Sequence, residues 1–281
     1  MAALNLCLNP MRILKLPPFH SGGKVDIIAI MGECSKSLGL SDFGDKSFVD
    51  DYIAITEYDL YKSLTFHNLG LIMAMKEFRV VVSRRLQLID YLKKTPAVLQ
   101  VPVKSPVFVF GLGRSGTTFI HRLLALDPTF RAPLLWEHMN PVPHVTASSS
   151  TQADFDADRQ QRQSTMEKHI ASLKFLGDRT MEHLHEVAAD LPEECLFALS
   201  DELPFCFHYL YSILRRFRRF TASTSSKRMV EAYRSYKRIL QLLSFQTGEK
   251  DTPRRWMLKC PLHINFLTEL IQVFPDAKFI W

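Results

Sequence analysis

The chain has 281 residues, 47% of them hydrophobic and 23% charged, which places it in the ordinary globular range with enough material for a sizeable core. A formal charge of +6 suits an anionic cofactor or an acidic substrate and is too small to indicate a nucleic-acid partner. Five scattered cysteines, Cys7, Cys34, Cys195, Cys206 and Cys260, are odd in number and show no C-x-x-C spacing, which argues against a disulfide framework or zinc site and for a reducing, cytoplasmic setting.

Residues 1–50 carry weak periodicity and many turn formers, Pro17-Pro18, Gly22-Gly23 and Gly44 among them, and predict no defined element. Pro10, Arg12, Lys15 and Pro17 interrupt the start, and no apolar run reaches the roughly 20 residues of a membrane span. From Asp50 to Lys94, apolar residues such as Leu69, Ile72, Met73 and Met75, then Val80, Val81, Leu86, Ile89 and Leu92, recur at helical spacing and predict two amphipathic helices. Arg79, Arg84, Arg85, Lys93 and Lys94 are expected on their solvated faces. Residues 1–100 are thus expected to form an extension that is mainly helical after residue 50.

Residues 101–281 read as an α/β domain, a parallel sheet flanked by helices. Val103 to Phe110 predicts a short core strand and Thr117 to Leu126 the helix after it, stopped by Asp127-Pro128. Pro133, Pro141 and Pro143 mark an extended piece and a loop. Helices are expected over Asp154 to Lys174, Pro192 to Ser200 and Lys227 to Gln246, the last ending at Gly248. Trp256 to Lys259 and Lys278 to Trp281 predict strands separated by a helix from Leu262 to Val273, a βαβ unit of the kind that parallel sheets require. The sequence stops at Trp281, within or at the end of a predicted strand, which reads as a domain incomplete at its carboxyl end.

The chemistry concentrates at Val107-Phe-Val-Phe-Gly-Leu-Gly-Arg-Ser-Gly-Thr-Thr118, a β-run turning through glycines into a helix, where backbone N–H groups can cradle a phosphate. Against the nucleoside-triphosphate template G-x-x-x-x-G-K-[ST], the register is Gly111, Gly116, Thr117, Thr118, so a threonine stands where the lysine would reach the β/γ-phosphates. That disfavours a nucleotide kinase and suits a phosphate ester without a γ-phosphate. Arg114 lies within the loop, where its guanidinium can meet a transferable anion such as a sulfuryl group.

Gly113-Arg114-Ser115-Gly116-Thr117-Thr118 resembles the P-R-S-G-T-T loop of sulfotransferases that use 3′-phosphoadenosine 5′-phosphosulfate, with Gly113 in place of the proline. Leu123 to Pro133, Trp136-Glu137, Trp256-Met-Leu-Lys-Cys-Pro-Leu-His263 and Val273-Phe-Pro-Asp-Ala-Lys278 are similar to the branch of that family widespread in bacteria and animals. Pro192-Glu193-Glu194 and Tyr233 to Leu243 are similar to its acceptor-side helices. The resemblance implies a P-loop-like α/β fold for residues 101–281 and sulfuryl transfer to an acceptor hydroxyl or amine on a small molecule, carbohydrate or lipid, with the phosphosulfate as co-substrate and no metal. Gly113, Arg114, Ser115, Gly116, Thr117 and Thr118 are the implied cofactor-binding residues, and Arg114, Lys259 and either Glu137 or His263 the catalytic ones. Family members continue past the last strand with a basic residue and a serine that hold the 3′-phosphate. The alternative is therefore a truncated, non-catalytic binding protein that keeps the loop.

Other groups have plainer readings. Glu193 and Glu194 can contact the acceptor, yet Asp190 with Glu193 three residues on also makes a helix-capping pattern. His183 and His185 in Met181–Glu186 lie two apart on different helix faces, so no metal is expected. Arg215-Arg216-Phe217-Arg218-Arg219-Phe220 with Lys227-Arg228 reads as a solvated basic face or a greeting for an acidic ligand.

Overall fold

The computed structural model describes residues 19–20, 24–55, 68–146, 148–175, 186–203, 224–249 and 254–281. Two compact units divide the chain, Met1–Tyr91 and Leu92–Trp281. Calls on Met181–His185, on Arg215 to Phe220 and on Cys7 and Cys206 lie outside the described residues.

In the first unit, a two-residue antiparallel pair, β1 (Phe19–His20) and β2 (Lys24–Val25), precedes helix α1 (Ile27–Leu38). This helix falls in the stretch for which the sequence predicts no element. It exists because both its ends are capped. The Asp26 carboxylate accepts the Ala29 amide at 2.9 Å, and Gly39 takes the left-handed φ of 66° that closes the last turn. Ile27, Ile30, Met31 and Cys34 then form one buried stripe. Helices α2 (Ser47–Ile55) and α3 (Asn68–Lys94) follow. The two apolar runs from Leu69 to Leu92, expected as two helices, lie on the single continuous helix α3.

Two of the basic residues expected in solvent are enclosed: Arg84 and Arg85 are 5% and 6% exposed. Arg85 donates from Nε to the Phe43 carbonyl and from Nη2 to the Asp45 carbonyl, both at 2.6 Å, with its guanidinium 4.3 Å above the Phe48 ring. A planar donor fork on an apolar stem can satisfy loop carbonyls under a helix, which hydropathy patterning does not register.

The second unit is built on a four-stranded, fully parallel sheet in the order β4-β5-β3-β6. Its strands are β3 (Val107–Val109), β4 (Phe130–Arg131), β5 (Arg255–Lys259) and β6 (Lys278–Ile280). β3 is shorter than the predicted Val103 to Phe110, since Pro106 has no amide to donate and Ser105 sits at φ 44°. Val107 and Val109 face one side with Met257, Ala132 and the half-buried Leu124 and Phe130. Phe108 faces the other, against the rings of His263 and Phe274 at 5.1 and 5.4 Å.

Helix α4 (Thr117–Leu124) connects β3 to β4, and α5 (Leu135–Met139), α6 (Gln152–Phe175), α7 (Leu196–Leu199) and α8 (Ser226–Gln246) lie between β4 and β5. A 3₁₀ turn (Pro261–Asn265) and α9 (Leu267–Val273) lead to β6. α8 is buried on nearly every side from Arg228 to Gln246. Arg228, expected on a solvated face, is 6% exposed and bonds the Glu202 carboxylate at 3.1 Å and the Glu202 carbonyl. α6 is anchored by Arg162, which reaches Asp158 at 2.7 Å, the Asn140 carbonyl at 2.7 Å and Gln246 at 2.5 Å.

The helix expected over Pro192 to Ser200 shrinks to the single turn of α7, because the backbone before it pairs elsewhere. Leu134 and Pro192 form an antiparallel bridge, the Glu193 amide donates to the Pro133 carbonyl at 3.1 Å, and the Cys195 amide to the Lys259 carbonyl at 2.9 Å. Asp190 and Glu193 accordingly cap no helix. Among the described residues, no helix is long and apolar enough to cross a membrane, and no group of three or more His, Cys, Asp or Glu side chains is placed to hold a metal.

Replacing Arg85 by Ala is expected to lower the unfolding free energy of the first unit by about 2–4 kcal/mol, read by urea titration, since two loop carbonyls lose a charged donor. Lys46→Ala, at an exposed position of the same unit, shifts it by less than about 0.5 kcal/mol.

Candidate functional site

The parallel register fixes the site. Val109 of β3 pairs with Lys259 of β5, so the last residue of one strand and the last residue of the other lie side by side at the carboxyl ends of the sheet. This is where open α/β sheets place their ligands. The glycine loop begins two residues beyond Val109.

Its shape depends on individual residues. A Cβ on Gly111 would come within 2.9 Å of Ser115 Oγ and 3.2 Å of Thr117 Cγ2, so a side chain there would displace the loop hydroxyls. The Ser115 amide and hydroxyl both donate to the Leu112 carbonyl, at 3.2 and 2.7 Å, closing a tight turn. Gly116 enters α4 at φ 89°, and Arg114, although not glycine, sits at φ 71°. Backbone strain at a non-glycine residue is found where surrounding structure imposes it, commonly at ligand sites. Ile120 makes the first helical bond, to the Gly116 carbonyl at 3.1 Å, so the amides of Thr117, Thr118 and Phe119 stand ahead of it at the positive end of α4. Leu112, Arg114, Ser115 and Gly116 are exposed, as is the apolar face of Phe119 and Leu123.

Lys259 has no solvent exposure. Its ammonium donates to Glu194 Oε1 at 2.6 Å and to Thr118 Oγ1 at 3.3 Å, and lies 4.0 Å from Glu193 Oε1. The structure therefore brings Lys259 to the first turn of the loop helix, together with two carboxylates from the segment before α7.

α4 is tied to the same strand by His121, whose Nε2 lies 3.0 Å from the Met257 carbonyl. Burial, followed by the charge of Lys259, outweighs that bond and Glu193, and lowers its pKa from 6.5 to about 4. His121 was not legible as a site residue, since a single histidine after a loop carries no pattern. His263, in the 3₁₀ turn, is also fully buried: Nδ1 is 3.0 Å from the Tyr233 hydroxyl and Nε2 has no partner among the described residues. Burial lowers its pKa to about 3.

Glu137 stands apart from this cluster in its bonding. Its Oε1 accepts from Arg131 Nη2 at 2.7 Å and its Oε2 from the Leu134 amide at 2.9 Å, so both oxygens are engaged in a pair that is itself nearly enclosed. Arg131 in turn reaches the Leu243 carbonyl and the Thr247 hydroxyl, at 3.1 and 2.9 Å, and lies 4.6 Å over the Trp256 ring. Geometry makes this a structural clamp joining β4, α5, α8 and β5.

Sheet order, loop and strand-end lysine together define an α/β protein of P-loop-like architecture. The sequence profile of the sulfotransferase family matches residues 106–281. Two solved structures are similar over nearly the whole chain. Sulfotransferase STF9 from Mycobacterium avium superposes with a TM-score of 0.70 at 27% identity, covering 90% of this chain and 61% of that one. Sulfotransferase STF1 from Mycobacterium tuberculosis H37Rv gives 0.59 at 26% identity, covering 91% and 66%. The chain spans less than two thirds of the length of either. No curated protein matches the sequence significantly. The chain belongs to the sulfotransferase family.

Two outcomes check this geometry. Glu137→Gln or Arg131→Met alone should destabilise the second unit by about 3–5 kcal/mol in urea, and Arg131→Met with Glu137→Leu should restore most of that loss. Both buried imidazoles have folded pKa values below the ordinary 6.5, so the unfolded state binds their protons first. Their stabilising effect is complete above pH 6.5 and declines as pH falls toward about 4 for His121 and about 3 for His263. Thermal midpoints should drop through that window, and less steeply in His121→Gln; identical slopes would exclude His121 as a source.

Proposed function

We propose that the protein transfers a sulfuryl group from 3′-phosphoadenosine 5′-phosphosulfate to an acceptor hydroxyl or amine. The observation that carries this reading is the meeting of Lys259 with Thr118 at the start of α4: a buried cation and an amide-rich turn converge on one point at the sheet's carboxyl edge. The amides of the loop with the Ser115, Thr117 and Thr118 hydroxyls hold the 5′-phosphate, and Gly113 and Gly116 let the backbone approach it. Arg114 and Lys259 meet the charge that builds on the bridging and sulfuryl oxygens as the sulfur moves in line from one oxygen to another. His263 stays neutral, bonded to Tyr233 and packed edge-on to Phe108, and adds no charge to the site.

Helices α6 to α8 supply the acceptor side, which suits a small-molecule, carbohydrate or lipid hydroxyl. Free thiols at Cys34, Cys195 and Cys260 fit a cytoplasmic setting.

Calorimetric titration with 3′-phosphoadenosine 5′-phosphate tests the donor site directly. Saturable binding is expected, weakened at least about tenfold in Arg114→Ala, a loss of about 1.4 kcal/mol. Absence of binding by folded protein would overturn the reading, and a preference for magnesium and a nucleoside triphosphate would replace it with a kinase.

A further inference from the structure

Strand β5 runs past the end of its neighbour β4. The short strand pairs Phe130 with Arg255 and Arg131 with Trp256, and the Arg255 amide donates to the Thr129 carbonyl at 3.1 Å. In a parallel ladder a strand turns its backbone groups toward a given neighbour at every second residue, so the β5 carbonyls on the β4 side are those of Arg255, Met257 and Lys259. The next amide in line for Met257 belongs to position 133, where Pro133 has none. Two carbonyls of β5 are thus left for donors from outside the sheet. Cys195 supplies its amide to Lys259 at 2.9 Å, and the His121 ring meets Met257 at 3.0 Å.

His121 is the one buried residue of α4, with no solvent exposure, while Phe119, Ile120 and Leu123 are exposed. Leu124 and Ala125 add half-buried apolar contact with Val107, Val109, Ala132 and Met257, and such contact holds the helix down without setting its rotation. The hydrogen bond does set it. A carbonyl only accepts, so Nε2 carries the proton and the ring is the neutral Nε2–H tautomer. Burial, followed by the charge of Lys259, keeps it neutral above about pH 4. Thr117 and Thr118 lie four and three residues before His121, one turn nearer the loop on the same side of the helix. The point at which the ring meets β5 therefore decides where the first-turn amides stand, and with them the Thr118 hydroxyl 3.3 Å from Lys259.

We infer that His121 is a positioning residue for the donor: its bond to the Met257 carbonyl sets the rotation and height of α4 so that the loop amides and Lys259 converge on one anion. This rests on the sulfuryl-transfer reading above. His121 acts through the helix and needs no contact with donor or acceptor. An apolar side chain in its place leaves a buried carbonyl without a donor, and the helix must turn or lift to let another donor in. Amides that bind the same phosphate are then misaligned together, which costs far more affinity than the loss of any one of them.

Rescue by an amide tests this without knowledge of the acceptor. The 281-residue chain and its variants are titrated calorimetrically with 3′-phosphoadenosine 5′-phosphate, and the stability of each is read in urea. His121→Leu is expected to weaken binding at least about tenfold. His121→Gln, whose side-chain amide nitrogen reaches as far as the ring Nε2, should bind within about threefold of wild type. Arg131→Met, which breaks the clamp and touches nothing in the loop, should lose stability and keep its affinity within about threefold. Should His121→Leu not fold, His121→Asn takes its place with the same expectation, since its amide stops short of the carbonyl. Wild-type affinity in the folded Leu or Asn variant, a tenfold loss that persists in His121→Gln, or an equal loss in Arg131→Met would each overturn the assignment while leaving the donor site standing. Failure of wild type to bind at all would instead remove the sulfotransferase reading, and the assignment with it.

Discussion

An ammonium withdrawn from water keeps its charge only beside an anion, and the second unit is arranged around one such group. Strand pairing sets Lys259 next to Val109 at the sheet's edge, with apolar layers on both faces that offer it nothing. Its partners must come from outside the sheet. The segment before α7 supplies them, and Lys259 holds that segment twice, with its side chain to Glu194 and with its carbonyl to the Cys195 amide. Thr118 and His121 bind α4 to the same strand, so loop helix, acidic segment and β5 are fixed by contacts within three residues of β5.

The second unit contains another ion pair of similar length, between Arg131 and Glu137, and the comparison is instructive. Both are short and both are largely enclosed. Arg131 is also satisfied by a carbonyl, a hydroxyl and an aromatic face, so its pair closes a junction of four elements and has no unmet demand. Lys259 has two carboxylates, Glu194 at 2.6 Å and Glu193 at 4.0 Å, and a glycine turn alongside. Desolvated charge that is over-satisfied by rigid neighbours acts as a fastener, whereas charge balanced by a partly exposed side chain can be exchanged for a ligand.

β3, β5 and β6 were legible because each is a short, largely apolar run bounded by turn formers, and α8 because its apolar period persists for five turns, whereas the two residues of β4, one of them Arg131, carry no strand pattern. The loop was legible from its glycines. α1 was not, although Asp26 and Gly39 both carried capping information, because Gly22-Gly23 and Gly44 outweighed it. Arg84, Arg85, Arg131 and Arg228 were misjudged or overlooked for one reason: patterning treats every charge as surface, and a guanidinium can be buried when several carbonyls and carboxylates surround it. Lys259 stood out chiefly through the family resemblance, and its bond to Glu194 spans 65 residues, a separation over which sequence spacing says nothing.

Arg114 combines an exposed guanidinium with a left-handed backbone that glycine would adopt without penalty. An L-residue in that region carries about 1–2 kcal/mol of strain. The loop thus gives up thermal margin for the side chain. Directed stabilisation of this protein would select glycine at position 114 early, and each molecule so improved would melt later and have discarded the charge proposed to meet its donor.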